Sequence, residues 1–237
     1  MSAKYIYTGP SWAVSSYPVE NKSTNLALEW GIPYVDQSRA GTSILNRINA
    51  VKTLNSTLPI IWIYGEPIID VEEITGISVD KFIQRADWKD LWNACNQYCL
   101  SAMAMLGRPV LLIGGHSDII DCNHKNITVA CTSWQKWLAN QANMPVSNQA
   151  VSVVMEDGGD FLIDHGWGAE VIHKFMHEHP KINPDTELIN SVWDIFYFWK
   201  ELEKANLFHE VHPNLQGNQL FAKFLQPVVE KFLQENQ

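Results

Sequence analysis

Short apolar runs rich in β-branched and aromatic residues alternate along this chain with longer segments whose apolar positions recur every three or four residues. Residues 4–8 predict a first strand, stopped by Gly9-Pro10. Residues 23–30 can be helical, and 31–35 form a second short strand ending in Asp36. Over 42–54, Ile44, Leu45, Ile48, Val51 and Leu54 fall on one side of a helix. Residues 59–64 are a continuous apolar run closed by Gly65, the pattern of a strand covered on both faces. Asp87 is placed to cap a helix reaching Gly107, and 108–113 predict another buried strand before Gly114-Gly115. Thr132-Ser-Trp-Gln135 has capping-box spacing and opens a helix to about residue 143. Residues 150–155 are a fifth strand candidate. The last helix covers 217–233, with Leu220, Phe224, Val228 and Phe232 recurring on one stripe.

Strands of four to six residues separated by helices predict an α/β fold of flavodoxin-like topology with a mostly parallel sheet. Residues 156–206 interrupt the alternation with acidic turns and a Trp- and Phe-rich helix over 185–205, so the expectation is one domain over 1–237 carrying a helical insertion or cap at 156–206. In such folds ligands bind in the crevice beyond the strand C-termini. This chain places small or polar residues there: Gly9-Pro10-Ser11, the stretch 36–41, Gly65-Glu66, and Gly114-Gly115-His116-Ser117-Asp118.

Composition narrows the partners. With 46% hydrophobic and 18% charged residues the chain can bury a core, and 237 residues fit one large domain. The net charge of -9 and the lack of a basic run argue against nucleic-acid backbones and anionic membranes. No stretch approaches the roughly 20 apolar residues of a membrane span. The first residues carry no apolar signal core, which gives the expectation of a soluble, cytosolic chain. Cys95, Cys99, Cys122 and Cys131 contain no Cys-x-x-Cys spacing and are expected as reduced, packed thiols. The 10 Trp and 7 Tyr serve a core first, and stack on sugars or apolar ligands where exposed.

The candidate chemistry lies at the two ends of the chain. Ser11 follows a strand and a tight Gly-Pro turn, a place from which its hydroxyl can face the crevice, although serine there also serves as a cap or turn residue. His212 stands in a polar loop, Leu207-Phe-His-Glu-Val-His-Pro-Asn-Leu-Gln-Gly217, just before the last amphipathic helix, with Pro213 fixing the backbone behind it. A base held there meets Ser11 across the sheet end; the plainer role of this histidine is local packing. His173, His177 and His179 have one pair at helical spacing but no metalloprotease pattern, and the acidic stretches 155–160 and 164–168 are read as solvated loops; no metal site is assigned.

These features resemble the SGNH or GDSL hydrolases, a family of esterases, lipases, acylhydrolases and carbohydrate deacetylases. Gly9-Pro10-Ser11-Trp12 matches that family's Gly-Asp-Ser motif except at Pro10, Gly41 stands where a glycine amide contributes to the oxyanion hole, and His212-Pro213-Asn214 followed by Gly217 matches the late His-Pro motif. The resemblance spans almost the whole chain and implies a three-layer α/β/α sandwich around about five strands, with Ser11 as nucleophile, His212 as general base, the Ser11 and Gly41 amides as oxyanion donors, and no cofactor. Two departures accompany it. Gly65-Glu66-Pro67-Ile68 replaces Gly-x-Asn-Asp, removing the oxyanion-hole Asn, and His209 occupies the place of the triad Asp. The rim residues are Gly65, Glu66, His116 and Asp118, and His116 and Asp118, with Glu210 in the base loop, are available to compensate. The implied substrate is an O-acyl or O-acetyl ester on a glycan or small molecule. The alternative is a degenerate carbohydrate-binding or structural protein on the same fold, with oligomerisation unassigned.

Overall fold

The computed structural model describes residues 2–14, 25–65, 68–78, 81, 85, 87–115, 119, 121–141, 205–206, 208–209 and 212–236. Five strands form one parallel sheet: β1 (Tyr5–Thr8), β2 (Tyr34–Asp36), β3 (Ile60–Tyr64), β4 (Val110–Gly114) and β5 (Ile127–Cys131). Their order is β2-β1-β3-β4-β5, every neighbouring pair is parallel, and the pairing fixes Ile6 opposite Val35 and Ile60, and Ile61 opposite Leu111. This is the flavodoxin-like order expected from the alternation of elements.

The connecting helices are α1 (Leu26–Trp30), α2 (Ile44–Thr53), α3 (Ile68–Thr75), α4 (Trp88–Ala104), α5 (Trp134–Gln141) and the terminal α6 (Leu215–Glu235). Strands β1, β3 and β4 are buried along their whole length, which is why their sequences are apolar at consecutive positions rather than at alternate ones. One sheet face, with Ile6, Ile60, Trp62, Val110 and Leu112, packs on Ile44, Ile48 and Val51 of α2 and on Cys99, Leu100 and Met103 of α4. The opposite layer holds α1, α5 and α6: Trp30 Nε1 donates to the Ala222 carbonyl at 3.1 Å, Trp30 meets Tyr7 edge to face, and Trp134 stacks on Phe221 with ring centroids 4.6 Å apart. Helices on both faces of the sheet make the three-layer α/β/α sandwich.

Several local expectations are revised. β5 is Ile127–Cys131, a run that the sequence reading passed over because only Ile127 in it is buried; the candidate at 150–155 lies outside the described residues. The apolar stripe on α6 is displaced by one position. Leu220, Phe224 and Val228 are 38%, 44% and 36% exposed, and the face turned to the core carries Phe221, Ala222, Leu225, Val229, Phe232 and Leu233. Asp87 precedes α4 without capping it through its side chain; the carboxylate instead takes both Nε and Nη2 of Arg85 at 2.7 Å. α5 starts at Trp134, so its cap position is Ser133 rather than Thr132, and the Ser133 hydroxyl donates to the Gly115 carbonyl at 3.1 Å. The four cysteines are free thiols. Apart from the turn at Ala205 and Asn206, the proposed insertion at 156–206, with its histidines and acidic loops, lies outside the described residues.

Candidate functional site

The strand order creates the site. From β1 the chain crosses to β2 at one edge, then returns past β1 to β3, so the segments leaving the C-termini of β1 and β3 diverge and open a crevice between them. Ser11 opens the 3-10 turn Ser11–Ala13 immediately after β1 and is half-buried at this point. Gly9 sets how closely the turn approaches β3. A Cβ on Gly9 would lie 2.7 Å from the Ile63 Cβ and 2.8 Å from the Ile63 carbonyl oxygen, so the approach requires glycine.

The segment after β2 is zipped onto the same edge. Gln37 donates its amide to Tyr7 O at 2.8 Å, Arg39 donates to Gly9 O at 3.0 Å, and the Thr8 hydroxyl donates to Gln37 O at 3.1 Å. Gly41 then turns the chain toward α2 with φ +63°, a conformation that favours glycine, and is exposed. Gly65 closes the far side: a Cβ there would meet the Pro10 ring at 3.1 Å and Arg47 Nη2 at 3.3 Å. The Ser11, Gly41 and Gly65 segments thus gather around one end of the sheet. Glu66, Pro67, His116 and Asp118 lie outside the described residues.

The C-terminal segment reaches this end as well. Strands β6 (Phe208–His209) and β7 (His212–Pro213) form an antiparallel hairpin in which His209 and His212 are direct register partners. β7 lies beside the turn that carries Ser11. Two asparagines hold the hairpin to α6. Asn214 caps the helix by accepting from Gly217 N at 2.9 Å and donates from Nδ2 to Asn206 O at 2.9 Å, while Asn218 Nδ2 donates to the carbonyls of Pro213 at 3.1 Å and Asn214 at 3.0 Å. Both are buried. The sequence signal for this clamp was present as two amides spaced i, i+4 directly behind His-Pro.

Two buried ionisable side chains under the crevice, Asp70 and Arg47, carry no signal that the sequence reading used. Asp70 of α3 is fully buried and accepts the first two amides of α2, Ile44 N at Oδ2 (2.9 Å) and Leu45 N at Oδ1 (2.8 Å); Ser43 supplies the third cap contact, accepting from Asn46 N at 3.0 Å. Burial raises the Asp70 pKa, opposed by these two amide bonds and by Arg47. Arg47, itself buried, donates through Nη1 to the Thr42 carbonyl and to the Thr42 hydroxyl. Desolvation pulls its pKa down to about 10, against the favourable charge of Asp70. The available signal was a charge inside each apolar stripe: Arg47 between Ile44 and Ile48, and Asp70 between Ile69 and Val71.

Among the described residues no cluster of three or more His, Cys, Asp or Glu side chains forms a metal-binding group, and no helix is long and apolar enough to cross a membrane. The chain matches no family model, no curated protein and no solved structure.

Proposed function

We propose that this chain is a serine hydrolase of the SGNH type that cleaves an ester bond, with an O-acyl or O-acetyl ester on a glycan or small molecule as substrate. The doubly wound α/β fold hosts hydrolases and binding proteins alike, so the reading rests on the site and not on the fold. The observation that carries it is the meeting of the two chain ends: the turn that begins at Ser11 lies at the topological switch point, and β7, which contains His212, lies beside that turn. In this mechanism His212 takes the Ser11 proton, the serine oxygen attacks the ester carbonyl, and the tetrahedral oxyanion receives the Ser11 and Gly41 amides. Collapse expels the alcohol with the proton returned from His212, and water then hydrolyses the acyl-serine by the same route. No cofactor enters these steps. His209 orients His212 as a partial substitute for a carboxylate.

The test is a panel of p-nitrophenyl acyl esters and acetylated sugars with wild-type protein and Ser11→Ala. Turnover in the wild type that falls by at least about a thousandfold in Ser11→Ala is expected, since the nucleophile is lost. Equal turnover in both rejects the mechanism. The substitutions at Pro67 and His209 favour a second reading, a glycan-binding protein without turnover; saturable oligosaccharide binding with no hydrolysis of any ester in the panel would select it.

A further inference from the structure

Arg47 has a cost that the ester mechanism leaves unexplained. Its residue is 3% exposed within the Ile44, Ile48 and Val51 stripe of α2, where a guanidinium is expensive unless its charge and N–H groups are matched. They are matched incompletely. Nη1 is satisfied by Thr42, but Nε has no acceptor among the described residues. The ion pairs among the described residues join Arg85 to Asp87 and Lys231 to Glu235, so no carboxylate there sits at ion-pair distance from Arg47. Asp70, whose charge offsets that of Arg47, has one oxygen on each of the first two amides of α2. The N-terminus of α2 is therefore filled by the protein's own acceptors, and the Arg47 guanidinium is left without a direct carboxylate contact among the described residues.

The position of that charge is specific. Nη1 touches the segment that follows Gly41, and Nη2 lies against Gly65 and the Pro10 side of the crevice. Arg47 also lines a pocket of about 330 Å³, together with the polar side chains Ser38, Arg39, Thr42 and Asn46. Asp36 borders the same pocket, but its Oδ1 is occupied by the Ser38 amide at 2.8 Å and the Ser38 hydroxyl at 2.5 Å. Arg39, Arg47, Gln37 and Asn46 line this cavity with Ser38 and Thr42, whose hydroxyls already donate to Asp36 Oδ1 and the Arg39 carbonyl, so the donors left for a ligand come from the arginines and the amides.

We propose that Arg47 and Arg39 make this pocket a binding site for the carboxylate group of a small molecule, so that the crevice takes ligands carrying a carboxylate. A guanidinium gives a carboxylate charge-assisted N–H···O bonds; on Arg47, where Thr42 holds Nη1 and Nε is sealed from solvent, the donor left for a ligand is Nη2, and such a bond recovers part of the desolvation cost of the buried group. The inference deepens the ester reading and rests on it for the place of the reacting group: an ester bearing a second, free carboxylate is preferred over its neutral analogue.

The experiment uses the wild-type chain and needs no turnover. The Nε–H resonance of Arg47, assigned by its disappearance in Arg47→Lys, is followed by 1H–15N NMR during titration with acetate, succinate, inorganic phosphate and neutral acetamide. A saturable shift with acetate and succinate, larger than that with phosphate and absent with acetamide, is expected. Arg39→Gln, which leaves the Arg47 signal in place, is expected to weaken acetate binding about tenfold, the factor given by losing one charge-assisted contact. No saturable shift, a response confined to phosphate, or an equal response to acetamide overturns the proposal. Ser11→Ala keeps the guanidinium and should keep the acetate response, so a failure of the nucleophile assignment and a failure of the carboxylate site give different results.

Discussion

At the scale of single residues, Asp70 and Arg47 are the buried side chains of full charge among the described residues. The Asp70 carboxylate is held above its ordinary value of 3.8 because desolvation outweighs the two amide bonds and the nearby guanidinium. The sign of its effect on stability follows. As pH falls, the native state takes up the Asp70 proton before the unfolded chain does, so this group adds stability below 3.8 and loses that contribution as pH rises through its raised native pKa. Asp70→Asn should remove that downward slope from the pH dependence of the urea midpoint. At pH 7 it should also destabilise the fold by about 1–3 kcal/mol, because an amide oxygen cannot replace both carboxylate contacts to Ile44 N and Leu45 N. Identical pH profiles for the two proteins would show that Asp70 titrates alike in the native and unfolded states. These two residues were readable in the sequence only as polar letters in apolar stripes; the capping of α2 by Asp70 needs the closure of α3 onto α2, which lies beyond any local pattern.

At the scale of elements, the strands legible as continuous apolar runs were those buried on both faces, while the partly buried edge strand β2 was legible from the short run that ends in Asp36. β1, β3 and β4 leave continuous apolar runs, whereas β5 sits at the sheet edge with a mixed surface, so its sequence carries little contrast. α6 shows the complementary difficulty. Two adjacent rows, one through Leu220, Phe224 and Val228 and one through Phe221, Leu225 and Val229, are both apolar, and periodicity cannot choose between neighbouring rows on a helix. Packing against Trp134 and the sheet selects the second. Phe221→Ala should therefore cost about 3–5 kcal/mol, since it empties a fully buried site under a stacked indole. Phe224→Ala, which loses a stack on Trp137 at a half-exposed position, should cost about 1 kcal/mol. Urea unfolding of both variants checks the ranking, and equal losses would contradict the assignment of the core-facing row.

At the scale of the whole molecule, the order β2-β1-β3-β4-β5 turns distant motifs into neighbours. Ser11 and His212 are 201 positions apart in the sequence, yet the turn after β1 and the hairpin before α6 converge because both lie at the C-terminal end of the sheet. The candidates Ser11 and His212 come from the sequence; the Asn214 and Asn218 clamp that ties the hairpin to α6, and the Arg47 charge beneath the crevice, arise from tertiary closure. Net charge of -9 concentrates no positive field that would draw a polyanion. In the proposed mechanism this convergence activates the Ser11 hydroxyl, and the most direct measurement is the intact mass of the protein after exposure to a serine-reactive phosphonate, followed by peptide mapping. A single adduct on Ser11, formed at least about a hundredfold more slowly in His212→Ala, is the predicted result; an unmodified Ser11, or labelling at the same rate without His212, would contradict it.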